Sequence, residues 1–482
     1  MTLDLLQIAP HVTAMAREVG VRWQTLERRR ELARTLLHAW HDRLDELQEL
    51  VRREQPWLVA EPLEDLLTTR PAPALPPDIT VVATDGSSID LDRHGLAQCY
   101  LINVGAAVIR YGAHPRAELS AAASLYYRDE DLYLDSGEGS RIPVQGALVD
   151  LKRTLAEQQR ALDLAHALTG DGIPVVVVMD GTLLLWQLSG RAAEEEYVAE
   201  AIAEYAAGLD RFRQLGIPLC SLVSRPNGRE VTNLLRLAAC PDPPQLSPPA
   251  PLPPAGEGRS TATSPVAGER SKMVSSPAAG EGGRMASIPQ LALPLWDDED
   301  RDAAPHFPTS SPSRGEEQPV HACASYLPPS PTRGRGAGGE GPRCVRDLLE
   351  SLPDRVLLDH LRPGDRSARF ASRSPVLRHY GDGPEAGIEF VYLNAGAELV
   401  RLEMPAWVGA DVATLDLVHA VVHDGCRRGW GYPPALAEAH EQAVIRGGDR
   451  DAFLRLVSEA LNGEGRPAEV SQKQLSKNRR AV

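Results

Sequence analysis

Lysine is almost missing from this chain of 482 residues: only Lys152, Lys272, Lys473 and Lys477 are present. Arginine carries the rest of the positive charge, and the formal net charge is still −15. A chain so acidic does not coat nucleic acid non-specifically, because phosphate binding needs local positive charge, although a basic groove remains compatible with a negative total. Cysteine is sparse as well. The six cysteines include no CxxC pair, which argues against a structural zinc site and against a thiol redox motif. There is no apolar run of about 18 residues, so no membrane span is expected. The N-terminus has no basic segment followed by an apolar one, so no signal peptide is expected either. These absences point to a reducing, cytoplasmic setting. A Gly-x-x-x-x-Gly-Lys-Ser/Thr phosphate loop is also lacking, so the chain is not its own ATP-driven motor by that mechanism.

What is present is an ordinary globular composition, 43% hydrophobic and 24% charged, long enough for one large domain or two moderate ones. From about 11 to 54, Val12, Met15, Val19, Trp23, Leu26, Leu32, Leu36, Trp40, Leu44 and Leu47 recur mostly at spacings of three or four. That periodicity predicts one long amphipathic helix, packed on the domain or paired in a dimer. A Pro-rich link at 71–77 leads into a strand, Ile79 to Thr84. Cys99 to Val104 and Ala106 to Tyr111 read as two further strands turned at Gly105, hence antiparallel. A helix over 148–168, a buried strand over 173–179, a helix over 192–215 and another buried strand over 217–223 follow. Antiparallel strands followed by β-α-β alternation predict an α/β fold, a mixed central sheet flanked by helices.

Between 241 and 343 the chain turns rich in Pro, Gly and Ser and repeats a short unit imperfectly, as in Ser264-Pro-Val-Ala-Gly-Glu-Arg270 and Ser276-Pro-Ala-Ala-Gly-Glu-Gly-Gly-Arg284. Such a segment buries too little apolar area to offset chain entropy, and disorder is expected. Order resumes with strands at 388–393 and 398–404 and helices at about 411–428, 434–446 and 450–462. The expected organisation is therefore an N-terminal helical segment (1–70), a first block of the main domain (71–240), an insertion (241–343) and a second block ending in a basic tail (344–482).

Two carboxylates stand at the ends of apolar runs: Asp85 opens Asp-Gly-Ser-Ser, and Asp180 opens Asp-Gly-Thr. Asp-Gly is also a common turn pair. A matched pair after buried strands instead suggests two carboxylates on neighbouring strands that share a divalent cation such as Mg²⁺ or Mn²⁺. Near the C-terminus, Tyr432-Pro-Pro-Ala-Leu-Ala-Glu-Ala-His440 places two prolines at a helix start and His440 within the helix. A histidine there can ligate a metal, position a phosphate or transfer a proton, and it can equally be an ordinary surface residue.

These segments together resemble the NurA nuclease family. The resemblance is carried by Thr84-Asp-Gly-Ser-Ser-Ile89 with Asp92-Arg-His94, Val178-Met-Asp-Gly-Thr182, Ser224-Arg-Pro226, Arg401-Leu-Glu-Met-Pro-Ala-Trp407 and Gly431-Tyr-Pro-Pro-Ala-Leu-Ala-Glu-Ala-His440. It spans nearly the whole chain except the insertion, which departs from the family pattern. It implies an RNase H-like core and Mn²⁺-dependent nuclease activity (Mg²⁺ as the alternative), running 5′ to 3′ on DNA ends with endonuclease action on single strands. It also implies a homodimer that works with a hexameric HerA-type ATPase in end resection. Asp85 and Asp180 match the metal-binding carboxylates, and Tyr432 and His440 match the C-terminal active-site pair, His440 also as a metal ligand. Glu157 best matches the remaining acidic residue, with Asp150 and Asp163 competing for the role. Arg225 and the tail residues Lys473 and Lys477 are candidate phosphate contacts. Two other classes stand beside the nuclease. One is a catalytically inactive adaptor of the ATPase. The other is a phosphotransferase, for which a second Gly-rich phosphate loop is missing.

Overall fold

A run of four valines, Val175 to Val178, lies at the centre of a nine-stranded sheet. β-Branched side chains suit a pleated surface, and a strand apolar at every position needs cover on both faces. The computed structural model describes residues 5–53, 58–90, 97–135, 141–185, 196–239 and 348–465. The expected disorder of 241–343, the Asp92-Arg93-His94 segment and the tail lysines Lys473 and Lys477 all fall outside these residues.

The first block opens with helices α1 (Leu5–Trp40) and α2 (Leu44–Arg53), then strands β1 (Glu61–Pro62), β2 (Ile79–Ile89), β3 (Tyr100–Tyr111) and β4 (Arg116–Tyr126). A short helix α3 (Asp129–Leu132) and a small hairpin, β5 (Tyr133–Asp135) and β6 (Arg141–Pro143), precede helix α4 (Ala147–Ala167). Strand β7 (Val175–Asp180), helix α5 (Glu196–Leu215), strand β8 (Leu219–Ser224) and helix α6 (Glu230–Ala239) complete it. The second block supplies β9 (Phe370–Ala371), β10 (Ile388–Asn394), β11 (Leu399–Pro405), α7 (Ala406–Ala410), α8 (Val412–Arg428), α9 (Pro434–Ala443) and α10 (Gly447–Gly463).

The sheet order is β1-β9-β10-β11-β8-β7-β2-β3-β4. Strands β2, β3 and β4 form an antiparallel meander, while β2, β7 and β8 run parallel. The mixed sheet flanked by helices agrees with the sequence reading, and strands from both sequence blocks enter it. Alternate residues serve the two faces. Val82, Val177, Met179 and Leu219 pack with Leu162 of α4 and with Ile202 and Phe212 of α5. Val81, Ala83, Val176, Val178 and Leu222 pack with Val418 and Val422 of α8 and Leu436 and Ala439 of α9.

Three expectations are corrected. The predicted single helix over 11–54 is broken between Trp40 and Leu44, and only the later part of its apolar stripe is used. Ala33, Leu36 and Leu37 join a core with α6, whereas Val12, Met15, Val19 and Trp23 are exposed. The strands expected on either side of Gly105 are one continuous strand, β3, whose hairpin partner is the unanticipated β4. Gly105 is not a turn. A Cβ there would run into the backbone of Ala439, Gln442 and Ala443, so the glycine lets α9 lie directly on the strand. Finally, Asp85 sits inside β2 rather than at its end, because Gly86, Ser87 and Ser88 continue the pairing with β3.

Gly105→Ala should therefore lift α9 off the sheet. Overpacking against backbone costs about 1–3 kcal/mol, so thermal unfolding should show a Tm a few degrees below that of the wild type. An unchanged Tm would mean that α9 does not need this close approach.

Candidate active site

The two aspartates meet because their strands are neighbours. β2 and β7 pair in parallel up to Thr84 and Met179, and Asp85 and Asp180 are the next residue on each strand. Side-chain alternation turns both towards the α9 face, since Ala83 and Val178 lie in the core under α8 and α9. There Asp85 accepts a hydrogen bond from His440, with Nδ1 2.7 Å from Oδ2. The Tyr432 hydroxyl donates to Asp180. Pro434 at the first turn starts α9, and its C-terminal carbonyls are held from below. Asn103 Nδ2 donates to Gln442 O at 3.1 Å and Ala443 O at 2.8 Å, and Ser87 Oγ also bonds Ala443 O. The helix that carries His440 is thus pinned to β2 and β3.

The third carboxylate arrives from the opposite face. Thr84 Oγ1 donates to the carbonyl of Glu157 at 3.1 Å, which fixes α4 over β2. The Glu157 side chain then lies over Gly86, where any Cβ would collide with its Oε1. Gly86 acts as a window that lets a carboxylate from the α4 face approach the two on the α9 face. Of the competing acids on α4, Asp163 is exposed and accepts from Gln159, and Asp150 pairs with Arg153 at 3.5 Å. Neither shares Glu157's place over β2.

Burial is the main reason Glu157 holds its proton up to about 8, reinforced by Asp85 and Asp180 and opposed by Arg153, whose Nε is 3.4 Å from Oε1. The pKa of Asp180 is raised too, first by desolvation and then by Asp85, while the bonds from Tyr432 and from the Gly181 N–H lower it. Desolvation and then the charge of Asp180 raise the pKa of Tyr432 strongly, so the hydroxyl stays protonated and donates. His440 spends Nδ1 on Asp85, which leaves Nε2 on a side chain that is 62% exposed.

A buried ion-pair chain fixes the loop after Asp180. Gly181 adopts φ +83°, and its N–H donates to Leu222 O at 3.0 Å. Thr182 Oγ1 and Leu183 N then donate to Glu403 Oε2 at 2.6 and 2.8 Å. Glu403 in turn pairs with Arg401, which also bonds Glu230. Arg401 and Glu403 carried part of the sequence resemblance, but their work is structural. Their signal was two charges at alternate positions in an otherwise apolar strand. Asn103 and Arg153 were missed, and Gly86 was read only as the glycine of an Asp-Gly strand end or turn. Only Arg153 had a local cue, its i,i+4 spacing to Glu157. Arg225 stands just beyond β8 with its side chain 86% exposed, and its Nε is 3.2 Å from Glu398 Oε2.

Among the described residues no three His, Cys, Asp or Glu side chains are already arranged to enclose an ion. The donor set nonetheless fits a hard divalent cation. It comprises three carboxylates in a partly desolvated junction, two of which, Glu157 and Asp180, are held above their ordinary pKa by burial and by their acidic neighbours, with an imidazole beside them.

A family model described as the NurA domain matches residues 79–252 and 345–445, more than half of the chain, and Asp85, Glu157, Asp180, Tyr432 and His440 all fall within it. No curated protein matches the sequence. One solved structure, described as a crystal structure of NurA bound to dAMP and manganese, is 12% identical and covers 87% of this chain and 94% of its own, at a TM-score of 0.28. A second, a crystal structure of NurA, is 16% identical and covers 36% and 39%, at a TM-score of 0.16. The structural likeness is weak at those scores, and the family rests on the sequence match.

Two outcomes are expected from this geometry. The folded protein keeps Glu157 protonated up to about 8, against an ordinary value of 4.5. The stability linked to its neutral form is thus full below 4.5 and is lost as pH rises towards 8. Without metal, Glu157→Gln should melt above the wild type at pH 8 and nearly level with it at pH 4.5, and equal melting at both would remove Glu157 from the dry junction. Gly86→Ala should close the window. Its folded fraction should stay near wild type while the melting shift produced by Mn²⁺ shrinks, and an undiminished shift would show that Glu157 needs no such opening.

Proposed function

Because the chain belongs to the NurA family of nucleases, we propose that it hydrolyses DNA phosphodiester bonds with a divalent cation held by Asp85, Glu157 and Asp180. The observation that carries this reading is the meeting of those carboxylates from β2, α4 and β7, with Tyr432 and His440 donating onto two of them. Mn²⁺ suits the mixture of carboxylate oxygen and imidazole nitrogen, and Mg²⁺ suits the carboxylates alone. Such an ion supplies charge stabilisation on the phosphodiester and lowers the pKa of water.

The chain's own residues do the rest. Tyr432 orients Asp180 and favours its ionised form by donating to it, against the effect of burial, and the bond from the Gly181 N–H acts in the same direction. Asp85 accepts from His440 Nδ1, which orients the ring and leaves Nε2 to meet the ion, hold a phosphate oxygen or pass a proton to a departing oxygen. Arg153 opposes the rise in the pKa of Glu157 and so favours the ionised form that would hold the ion. Arg225, and beyond the described residues Lys473 and Lys477, are the proposed phosphate contacts.

The finer assignment is 5′-to-3′ removal of nucleotides from DNA ends, with cleavage of single strands, during end resection in the cytoplasm. The strand order β4-β3-β2-β7-β8, three antiparallel strands followed by two parallel ones, supports an RNase H-like core. A separate hexameric HerA-type ATPase as partner accords with the missing phosphate loop. The exposed stripe Val12, Met15, Val19 and Trp23 on α1 is consistent with a homodimer. Among the described residues no helix is long and apolar enough to cross a membrane.

The deciding experiment digests 5′-labelled single-stranded and duplex DNA with Mn²⁺, Mg²⁺ or EDTA. Metal-dependent release of short 5′ products is expected. Asp85→Ala and Asp180→Ala should each lower the rate by more than about a hundredfold, the upper range for losing even an indirect metal partner, and keep a cooperative melt. Robust Mn²⁺-dependent cleavage by both variants would overturn the assignment. Wild-type protein that stays inactive with the ATPase added, and whose melting Mn²⁺ does not shift, would identify the inactive adaptor instead.

A further inference from the structure

Trp430 is the most exposed large apolar side chain among the described residues, at 96%. It also has φ +60°, a left-handed conformation that a bulky L-residue adopts only where the surrounding structure imposes it. The turn that imposes it is tightly wound. Gly429 N bonds Gly425 O, Gly431 N bonds Cys426 O at 2.7 Å, and Tyr432 N bonds Gly429 O at 3.3 Å. A Cβ at Gly429 would strike the Tyr432 carbonyl, and one at Gly431 would press on Ala397. Both flanking residues are therefore held to glycine, and the largest side chain of all stands between them, facing solvent. Nothing in the packing of this turn uses the indole.

The position of the turn says what could. Two residues on, Tyr432 donates to Asp180. On the other side, Ala397 adjoins Glu398, which accepts from Ser224 Oγ at 2.6 Å and pairs with Arg225. Arg225, at φ +44°, is one of three non-glycine residues with positive φ among the described residues, with Ser351 and Trp430. Two of the three thus flank the place where Gly431 meets Ala397 and Glu398, next in sequence to Tyr432, and both carry an exposed planar group, an indole and a guanidinium.

We propose that Trp430 is a stacking platform for one unpaired nucleobase of the DNA strand that enters the carboxylate site, with Arg225 beside it for the backbone. The proposal rests on the nuclease reading. An aromatic face is the general means of holding single strands without reading sequence, because every base has a π-face. A paired and stacked base offers no free face, so the platform selects frayed or single-stranded ends over intact duplex.

The test measures binding of labelled oligothymidylate and blunt duplex by anisotropy in EDTA, so that the strand stays intact, with cleavage in Mn²⁺ followed in parallel. Trp430→Ala should weaken single-strand binding roughly tenfold, the usual effect of losing one stacked base. Trp430→Phe should restore most of it, and duplex binding should change little. Oligonucleotides with one abasic residue, moved along the strand, should include a position that weakens wild-type binding equally yet costs Trp430→Ala nothing further. Wild-type affinity in Trp430→Ala, or abasic losses that simply add to the variant's own at every position, would overturn the platform while the wild type's cleavage kept the nuclease reading intact. A change in oligomeric state with unchanged DNA binding would also overturn it and give the indole to a protein contact. Failure of the wild type both to bind and to cleave would overturn both readings together.

Discussion

Three carboxylates confined to one partly dry junction repel one another, and much of the surrounding fold serves to hold them there. At an effective dielectric of about 20, two unit charges 4 Å apart cost about 4 kcal/mol, a large share of the 5–15 kcal/mol by which a domain is stable. The chain answers on each carboxylate separately. Asp85 receives a proton donor from α9, Asp180 receives the Tyr432 hydroxyl and a backbone N–H, and Glu157 keeps a proton beside Arg153. None of these removes the repulsion. They leave a site whose remaining imbalance favours a cation, which is what a metal-dependent hydrolase requires.

Holding such a site takes rigid parts, and the sheet supplies them by omission as much as by contact. Gly86 and Gly105 lie on paired strands, and each leaves a gap that something else fills: the Glu157 carboxylate at one, the backbone of α9 at the other. The loop after Asp180 is fixed by a buried chain of charges, Glu403, Arg401 and Glu230. An exposed ion pair would contribute almost nothing to such a task. A buried one is costly to break, because the surviving partner keeps its charge without compensation. Its value is in specifying one arrangement.

The parts legible in the sequence were those with local signals. The buried run before Asp180, the Asp-Gly pairs and the two prolines at the start of α9 placed Asp85, Asp180 and His440 on the right elements. The sheet itself was read as mixed from the succession of patterns. What failed was local inference about long-range causes. Gly105 looks like a turn because its partner, α9, lies more than 330 residues away in the chain, and Asp85 looks like a strand end because Gly86 resembles punctuation. The strand β4, Arg-Ala-Glu-Leu-Ser-Ala-Ala-Ala-Ser-Leu-Tyr, is exposed almost throughout and so carries no alternation to detect. The stripe on α1 was visible but could not say that its first half stays uncovered. Asn103 is a lone amide in a strand, meaningless until the carbonyls of Gln442 and Ala443 are placed over it.

The acidity of the chain bears on the proposed hydrolysis of DNA. A protein with net charge −15 gains little from counterion release over its whole surface. The proposed site must therefore reverse the sign of the field locally, and a divalent ion held by the three carboxylates would do so where a phosphate is to sit. Retention of the strand then falls to interactions that do not depend on net charge. An exposed indole beside a single arginine is such a device, because stacking draws on surface and polarisability rather than on opposite charge. Long-range attraction would hold any stretch of duplex against the protein. On the proposed reading, a metal-centred contact with a stacking platform would hold unpaired strand in preference to intact duplex, without any need to read sequence.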